Sequence, residues 1–303
     1  MQAHTSMPVN PSVSVTYPPF KHGMYMEEYF DQYWHKQDFP EKDRMVYLDV
    51  YWHNVFHHNG GSQQTMPHLK SAIETICKKA HEENKVVFTV YQWDELFLNG
   101  QAPSNLHIFS VGTTYTIPLP LLVEDSYYTL RKTQSKLSYS QKDILASFIG
   151  SITHSLRSTM VQHLNAHSNI RLCARNLWNI DVPKDHVNEF IEITKRSKFG
   201  LAPRGYGPSS FRFFEIMELG AIPVYIHDGV NALPYQEILD YSRFSIVIHI
   251  NEIHSLPARL QSITEEAYTS MLNEVNRVRP WFTMEGMCMY VREYMMKKLE
   301  EIS

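Results

Sequence analysis

Cysteine is scarce in this chain: Cys77, Cys173 and Cys288 are the only three among 303 residues. They are far apart and form no Cys-x-x-Cys pair, so neither a disulfide framework nor a cysteine zinc site is expected. No apolar run approaches the roughly eighteen residues a membrane helix needs, and no signal-type core opens the chain, so no membrane anchor is expected. An excess of basic charge is also missing. With 28 Lys and Arg against 32 Asp and Glu the formal charge is −4, which argues against nucleic acid as a partner. No Asn-x-Ser/Thr sequon occurs, because Asn10-Pro-Ser12 is blocked by its proline. No Gly-x-Gly-x-x-Gly follows an early strand with an acidic residue about twenty positions on, which excludes the dinucleotide fingerprint.

What the chain does have is length for two domains and an aromatic content of 18 Tyr, 15 Phe and 5 Trp. The most informative stretch runs from Lys198 to Asp228. Phe199–Ala202 reads as a strand closed by Pro203. Gly205, Gly207 and Pro208 make a loop of little bulk around Tyr206, and Ser209 or Ser210 can cap the helix that follows. Apolar spacing predicts that helix over 211–219, ended by Gly220, with a buried strand from Ala221 to Ile226. A glycine loop feeding a helix tip suits an anion, because unpaired amides and the helix dipole both favour negative charge. Arg204 in the loop and Arg212 in the first turn add cations. Glu215 shares a face with Arg212, placing a carboxylate for ribose hydroxyls or, equally, for a helical ion pair. A nucleotide diphosphate is the ligand this pattern suits.

The string Pro203-Arg-Gly-Tyr-Gly-Pro-Ser-Ser-Phe-Arg-Phe-Phe-Glu215, followed by Leu219-Gly-Ala-Ile-Pro-Val-Tyr225, resembles the signature of the exostosin-type glycosyltransferases, family 47. The runs Asn105-Leu-His-Ile-Phe-Ser110 and Ile117-Pro-Leu-Pro-Leu121 resemble landmarks of the same family. The resemblance implies an α/β GT-B fold: two Rossmann-like domains facing a central cleft, with the last helix crossing back to the first. It implies residues 1–135 as acceptor domain, 136–280 as nucleotide-sugar domain and 281–303 as the returning helix. It also implies an inverting transfer from a UDP-sugar to a glycan hydroxyl. Compact, anchorless relatives are encoded by large algal viruses (chloroviruses), xylosyltransferases among them, which makes UDP-xylose the preferred donor and the cytoplasm the expected compartment. A Golgi lumen would apply to a truncated ectodomain.

Taken in order, the first half reads as helix over 24–34, strand 44–51, helix 68–83, strand 85–91 and strand 105–111, a pattern for a parallel sheet. His53 and Asn54 follow the first strand and Trp93, Asp94 and Glu95 the second, where ligands meet doubly wound sheets. Asp94 is the preferred general base, with Glu95 and His53 in reserve, because the attacking hydroxyl needs a group within hydrogen-bond reach. Asp94 could instead cap a following helix. Asn54 and Trp93 are acceptor-binding candidates. His53, His57 and His58 read as polar loop histidines.

In the second half, strand 144–150 turns at Gly150 into a helix over 154–164. Arg157 there resembles a family arginine that approaches the donor diphosphate, although by itself it could be an ordinary surface cation, and His154 just upstream could reach the phosphate or the acceptor. Helices are predicted over 185–196, 258–278 and 284–301, and a strand over 244–248. No Asp-x-Asp occurs. The leaving diphosphate would therefore be met by Arg157, Arg204, Arg212 and helix amides, with no metal and no cofactor. A nucleotide-sugar epimerase or phosphorylase, and a glycan-binding subunit without turnover, are the rival readings.

Overall fold

The computed structural model describes residues 24–52, 55, 67–92, 102–112, 116–122, 129–176 and 182–302. The chain divides into two compact units. Met24–Leu119 and Met284–Ser303 form the first, and Pro120–Thr283 the second. Residues 120–122 and 129–135, which the resemblance places in the first domain, cluster with the second unit.

The first unit is built on a four-stranded parallel sheet, β1 (Met45–Tyr47), β2 (Val86–Tyr91), β3 (Leu106–Ser110) and β4 (Ile117–Pro118), in that spatial order. Every residue of β2 is buried, as expected of a central parallel strand covered on both faces. Alternation along β2 sends Val87 and Tyr91 toward helix α2 (Pro67–Glu82), where they meet Leu69, Ile73, Cys77 and Ala80. Phe88 points the other way, into an aromatic layer with Phe30 and Trp34 of α1 (Met26–Lys36). Glu27 of α1 is fully buried, yet its carboxylate accepts the Gln92 amide (3.0 Å), and the Gln92 side chain accepts the Met26 amide (2.7 Å). These two bonds pin α1 to the end of β2.

The expected strand 44–51 stops at Tyr47. Leu48 still donates to the Phe88 carbonyl, but the Val50 amide turns back to the Leu48 carbonyl at 2.9 Å, a three-residue turn that takes the chain out of the ladder.

The second unit carries a five-stranded parallel sheet of β5 (Ile144–Ser151), β6 (Ile170–Arg175), β7 (Ser197–Pro203), β8 (Ile222–His227) and β9 (Ile246–His249), ordered β6-β5-β7-β8-β9. The edge strand β6 escaped the sequence reading because Arg171 and Ala174 are exposed and no continuous apolar run marks it. A short turn α3 (Thr129–Lys132) precedes the sheet. Helices α4 (Ser155–Leu164), α5 (Lys184–Arg196) and α6 (Phe211–Glu218) supply the crossovers. The helix expected over 258–278 is two helices, α7 (Leu256–Gln261) and α8 (Glu265–Val278). Thr264 breaks it by capping α8, its hydroxyl accepting the Ala267 amide at 3.3 Å. The last helix, α9 (Met284–Glu301), belongs to the first unit, where Tyr290 and Tyr294 set their rings edge-on against Phe109. The α/β class, the two parallel sheets and the return of the last helix agree with a GT-B chain.

Candidate functional site

The strand order of the second sheet fixes where a ligand belongs. From β5 the chain crosses to β6 on one side, and from β7 it crosses to β8 on the other. The connections part at the carboxyl ends of β5 and β7, the switch point at which doubly wound sheets open a crevice. Close packing makes room for the second connection. A Cβ on Gly200 in β7 would lie 2.5 Å from Ile216, so only glycine lets α6 approach this strand. Gly220, at φ +77°, ends α6 with the paired bonds Gly220 N–H to Met217 and Ala221 N–H to Ile216.

Three guanidinium groups gather at this point. Arg157, near the start of α4, is 8% exposed and donates to the carbonyls of Arg204 (2.8 Å), Ser151 (2.8 Å) and Pro203 (3.2 Å). Among the described residues no carboxylate pairs with it. Burial, and next the charge of Arg212, pull its pKa down to about 10, which still leaves it charged at neutral pH. A buried cation held by carbonyl dipoles and the face of Phe148 (5.5 Å to the ring centroid) is costly unless an anion joins it. Arg212 donates from Nε to the Ile149 carbonyl (3.0 Å), lies over the Phe190 ring (3.9 Å to the centroid) and pairs with Glu215. Arg204 grips both oxygens of Asp228 through one nitrogen (3.1 and 2.9 Å) and the Tyr206 carbonyl through the other, while its Nε is sealed from solvent without a hydrogen-bond partner.

His154 caps α4, its Nδ1 accepting the Leu156 amide at 3.2 Å, so the proton of the neutral ring sits on Nε2. Desolvation first, then the charges of Arg204 and Arg157, hold its pKa below the usual histidine value, against an opposing pull from Asp228. The loop Gly205-Tyr206-Gly207 closes through the Gly205 amide and the Ser209 carbonyl (3.4 Å) and leaves Tyr206 67% exposed. Ser209 and Ser210 are buried beside it. Ser210 occupies the cap position of α6, but no side chain makes the expected capping bond there.

The structure therefore brings together Arg157, His154, Arg204, Gly205, Tyr206, Gly207, Ser209, Ser210, Arg212 and Glu215. Glu215 is engaged by Arg212, so the helical ion pair foreseen as its other role is present. His53, Asn54, Trp93, Asp94 and Glu95 lie outside the described residues. Sequence reasoning passed over Asp228 and Tyr225. The Tyr225 hydroxyl donates to the Pro208 carbonyl (3.1 Å) and accepts the Ala232 amide (3.3 Å), tying the glycine loop to the turn after β8. Their position at the carboxyl end of β8, next to β7, was the available signal.

The family model for the exostosin GT47 domain matches residues 91–263, more than half of the chain and the whole of this arginine cluster. The chain belongs to the exostosin GT47 family. A probable glycosyltransferase of Arabidopsis thaliana is 30% identical to this family member over 150 residues, 49% of the chain and 27% of that protein. An exostosin-1 homolog of Caenorhabditis elegans is 27% identical over 188 residues, covering 54% and 48%. A probable beta-1,4-xylosyltransferase of Arabidopsis thaliana is 30% identical over 86 residues, 28% of the chain and 21% of that protein. The matched segments thus span about half or less of these relatives. Among solved structures, a sucrose-phosphate synthase of Thermosynechococcus elongatus aligns with 91% of the chain and 78% of its own at 12% identity and a TM-score of 0.41. A score that low adds nothing to the fold, which rests on strand order and connections.

Proposed function

We propose that this GT47 chain transfers a sugar from a nucleotide diphosphate donor to a glycan hydroxyl, with inversion and with no divalent ion in the transfer step. The observation that carries the reading is the meeting of Arg157, Arg204 and Arg212 at the switch point of the second sheet, a cationic site suited to a diphosphate. UDP is the proposed nucleotide and xylose the proposed sugar. The second choice is supported by the name of one relative and by the resemblance described above.

The reaction is a single displacement. The acceptor oxygen bonds to the anomeric carbon on the face opposite the diphosphate, its proton passes to a base, and the carbon–oxygen bond to the diphosphate breaks. Asp94 is the proposed base. Charge that builds on the leaving oxygens is met by the three guanidinium groups, whose orientations are fixed in advance by backbone carbonyls and, for Arg204 and Arg212, by Asp228 and Glu215. Donors held in place before the reaction spare reorganisation as charge develops. With its Nε2–H directed away from the capping bond, His154 can add a neutral donor.

A panel of nucleotide sugars, scored by nucleotide release with and without glycan acceptors, tests the reading. Acceptor-dependent release of UDP with EDTA present supports it. Turnover of free nucleotide sugar without any acceptor removes it, as does strict dependence on added magnesium or manganese. In the same assay Asp94→Asn is expected to bind donor normally and to stop transfer.

A further inference from the structure

The first unit holds a group of side chains that glycosyl transfer leaves unused. Asp31 and His35 stand one turn apart on the same face of α1, and Asp49 lies just beyond the end of β1. One imidazole nitrogen and two carboxylate oxygens from these residues all fall within 4.8 Å of one another. His35 Nδ1 is 3.1 Å from Asp31 Oδ1. Ligands about 2.1 Å from a divalent ion stand roughly 3.0 Å apart in adjacent octahedral positions and about 4.2 Å in opposite ones, so the spacing suits one shared ion.

A helical ion pair would account for Asp31 Oδ1 and His35 Nδ1, but not for Asp49 beside them or for the Tyr47 hydroxyl. Asp31 Oδ1 is sealed from solvent and accepts no hydrogen bond, and the Tyr47 hydroxyl, which lies in the field of Asp31 and Asp49, is sealed and unmet as well. A proton on His35 Nδ1 serves the Asp31 backbone carbonyl at 2.9 Å and does not satisfy Oδ1. The other carboxylate oxygen, Oδ2, accepts the Tyr51 hydroxyl at 2.8 Å. An outer bond of that kind orients a ligating carboxylate and leaves its partner oxygen for the ion.

We infer that Asp31, His35 and Asp49 form a binding site for one divalent transition ion, of the class of Mn2+ or Zn2+. An imidazole with two carboxylates selects such ions over Mg2+ and Ca2+, which favour all-oxygen shells. Two carboxylates neutralise the ion, and water fills the remaining positions through the His35 side, which is 54% exposed. The ion joins α1 to the exit of β1.

The site shares no residue with the arginine cluster, and its test uses no donor, acceptor or activity. The full chain is stripped with a chelator, the chelator is removed, and MnCl2 or ZnCl2 is titrated by calorimetry. One saturable site per chain is expected, weakened at least tenfold in Asp49→Asn and in His35→Gln. In the unsubstituted protein, substoichiometric Mn2+ should broaden the ring resonances of His35 before those of the other histidines, a readout that does not depend on the variants folding. No saturable binding, equal binding by both variants, or broadening confined to other histidines would overturn the proposal.

Discussion

Arg157 is the residue whose energetics say most. Its nitrogens satisfy three backbone carbonyls, so replacing it disturbs the scaffold and the anion site together. Arg157→Lys keeps the charge but loses the planar fork. A hydrogen bond involving a charged group is worth roughly 1.5–3 kcal/mol, so UDP affinity should fall about 10- to 100-fold, as read by calorimetry. Arg157→Ala should also lower the melting temperature, which separates its two roles. His154 gives a prediction in pH. Its folded pKa is depressed, so between that value and about 6.5 the unfolded chain binds more protons. Its contribution to stability is thus present above about pH 6.5 and is lost as pH falls through the folded pKa. A bound diphosphate reverses the local field, so UDP binding near pH 6 should take up protons. Calorimetry in buffers of different ionisation enthalpy measures that uptake, and His154→Gln should remove it.

At the scale of elements, Gly200 and Lys142 govern how helices meet the second sheet. Gly200→Ala places a methyl against three carbons of Ile216 at 2.5–2.7 Å, an overpacking that typically costs about 1–3 kcal/mol. Chemical denaturation should show that loss, and Ile216→Ala in the same chain should recover part of it. Lys142 is buried at the opposite end of the strands, donating to the carbonyls of Lys195, Ser197 and Gly220 at 2.8, 2.9 and 3.1 Å. These oxygens lie where α5 and α6 end, so one ammonium closes two helix termini. Lys142→Met leaves them without a donor and should destabilise the chain by about 1–3 kcal/mol.

Elements of this kind were legible in sequence when apolar periodicity was strong, as in β2, α2 and α6. They were hidden when the deciding contact was remote. Nothing near Ile170 announces an edge strand, and nothing local to Lys142 announces three carbonyls drawn from two later segments. The arginine cluster was legible because its loop, cap and cations are contiguous. Asp228 was not singled out, because its partner Arg204 is joined to it only by the pairing of β7 with β8.

For the molecule as a whole, the chain leaves its first unit after Leu119 and re-enters it at Met284. Among the described residues the second unit is therefore one segment, and residues 120–283 expressed alone are expected to fold and to bind UDP, as a cooperative melt and calorimetry would show. The first unit has no such independence, because Tyr290 and Tyr294 supply the rings that cover Phe109. During synthesis this imposes an order. The ribosome completes the arginine-bearing half while the earlier strands still wait for their cover, and only translation beyond residue 284 can seal them. A chaperone that shields aromatic surface should thus be needed most by nascent chains stalled short of residue 284.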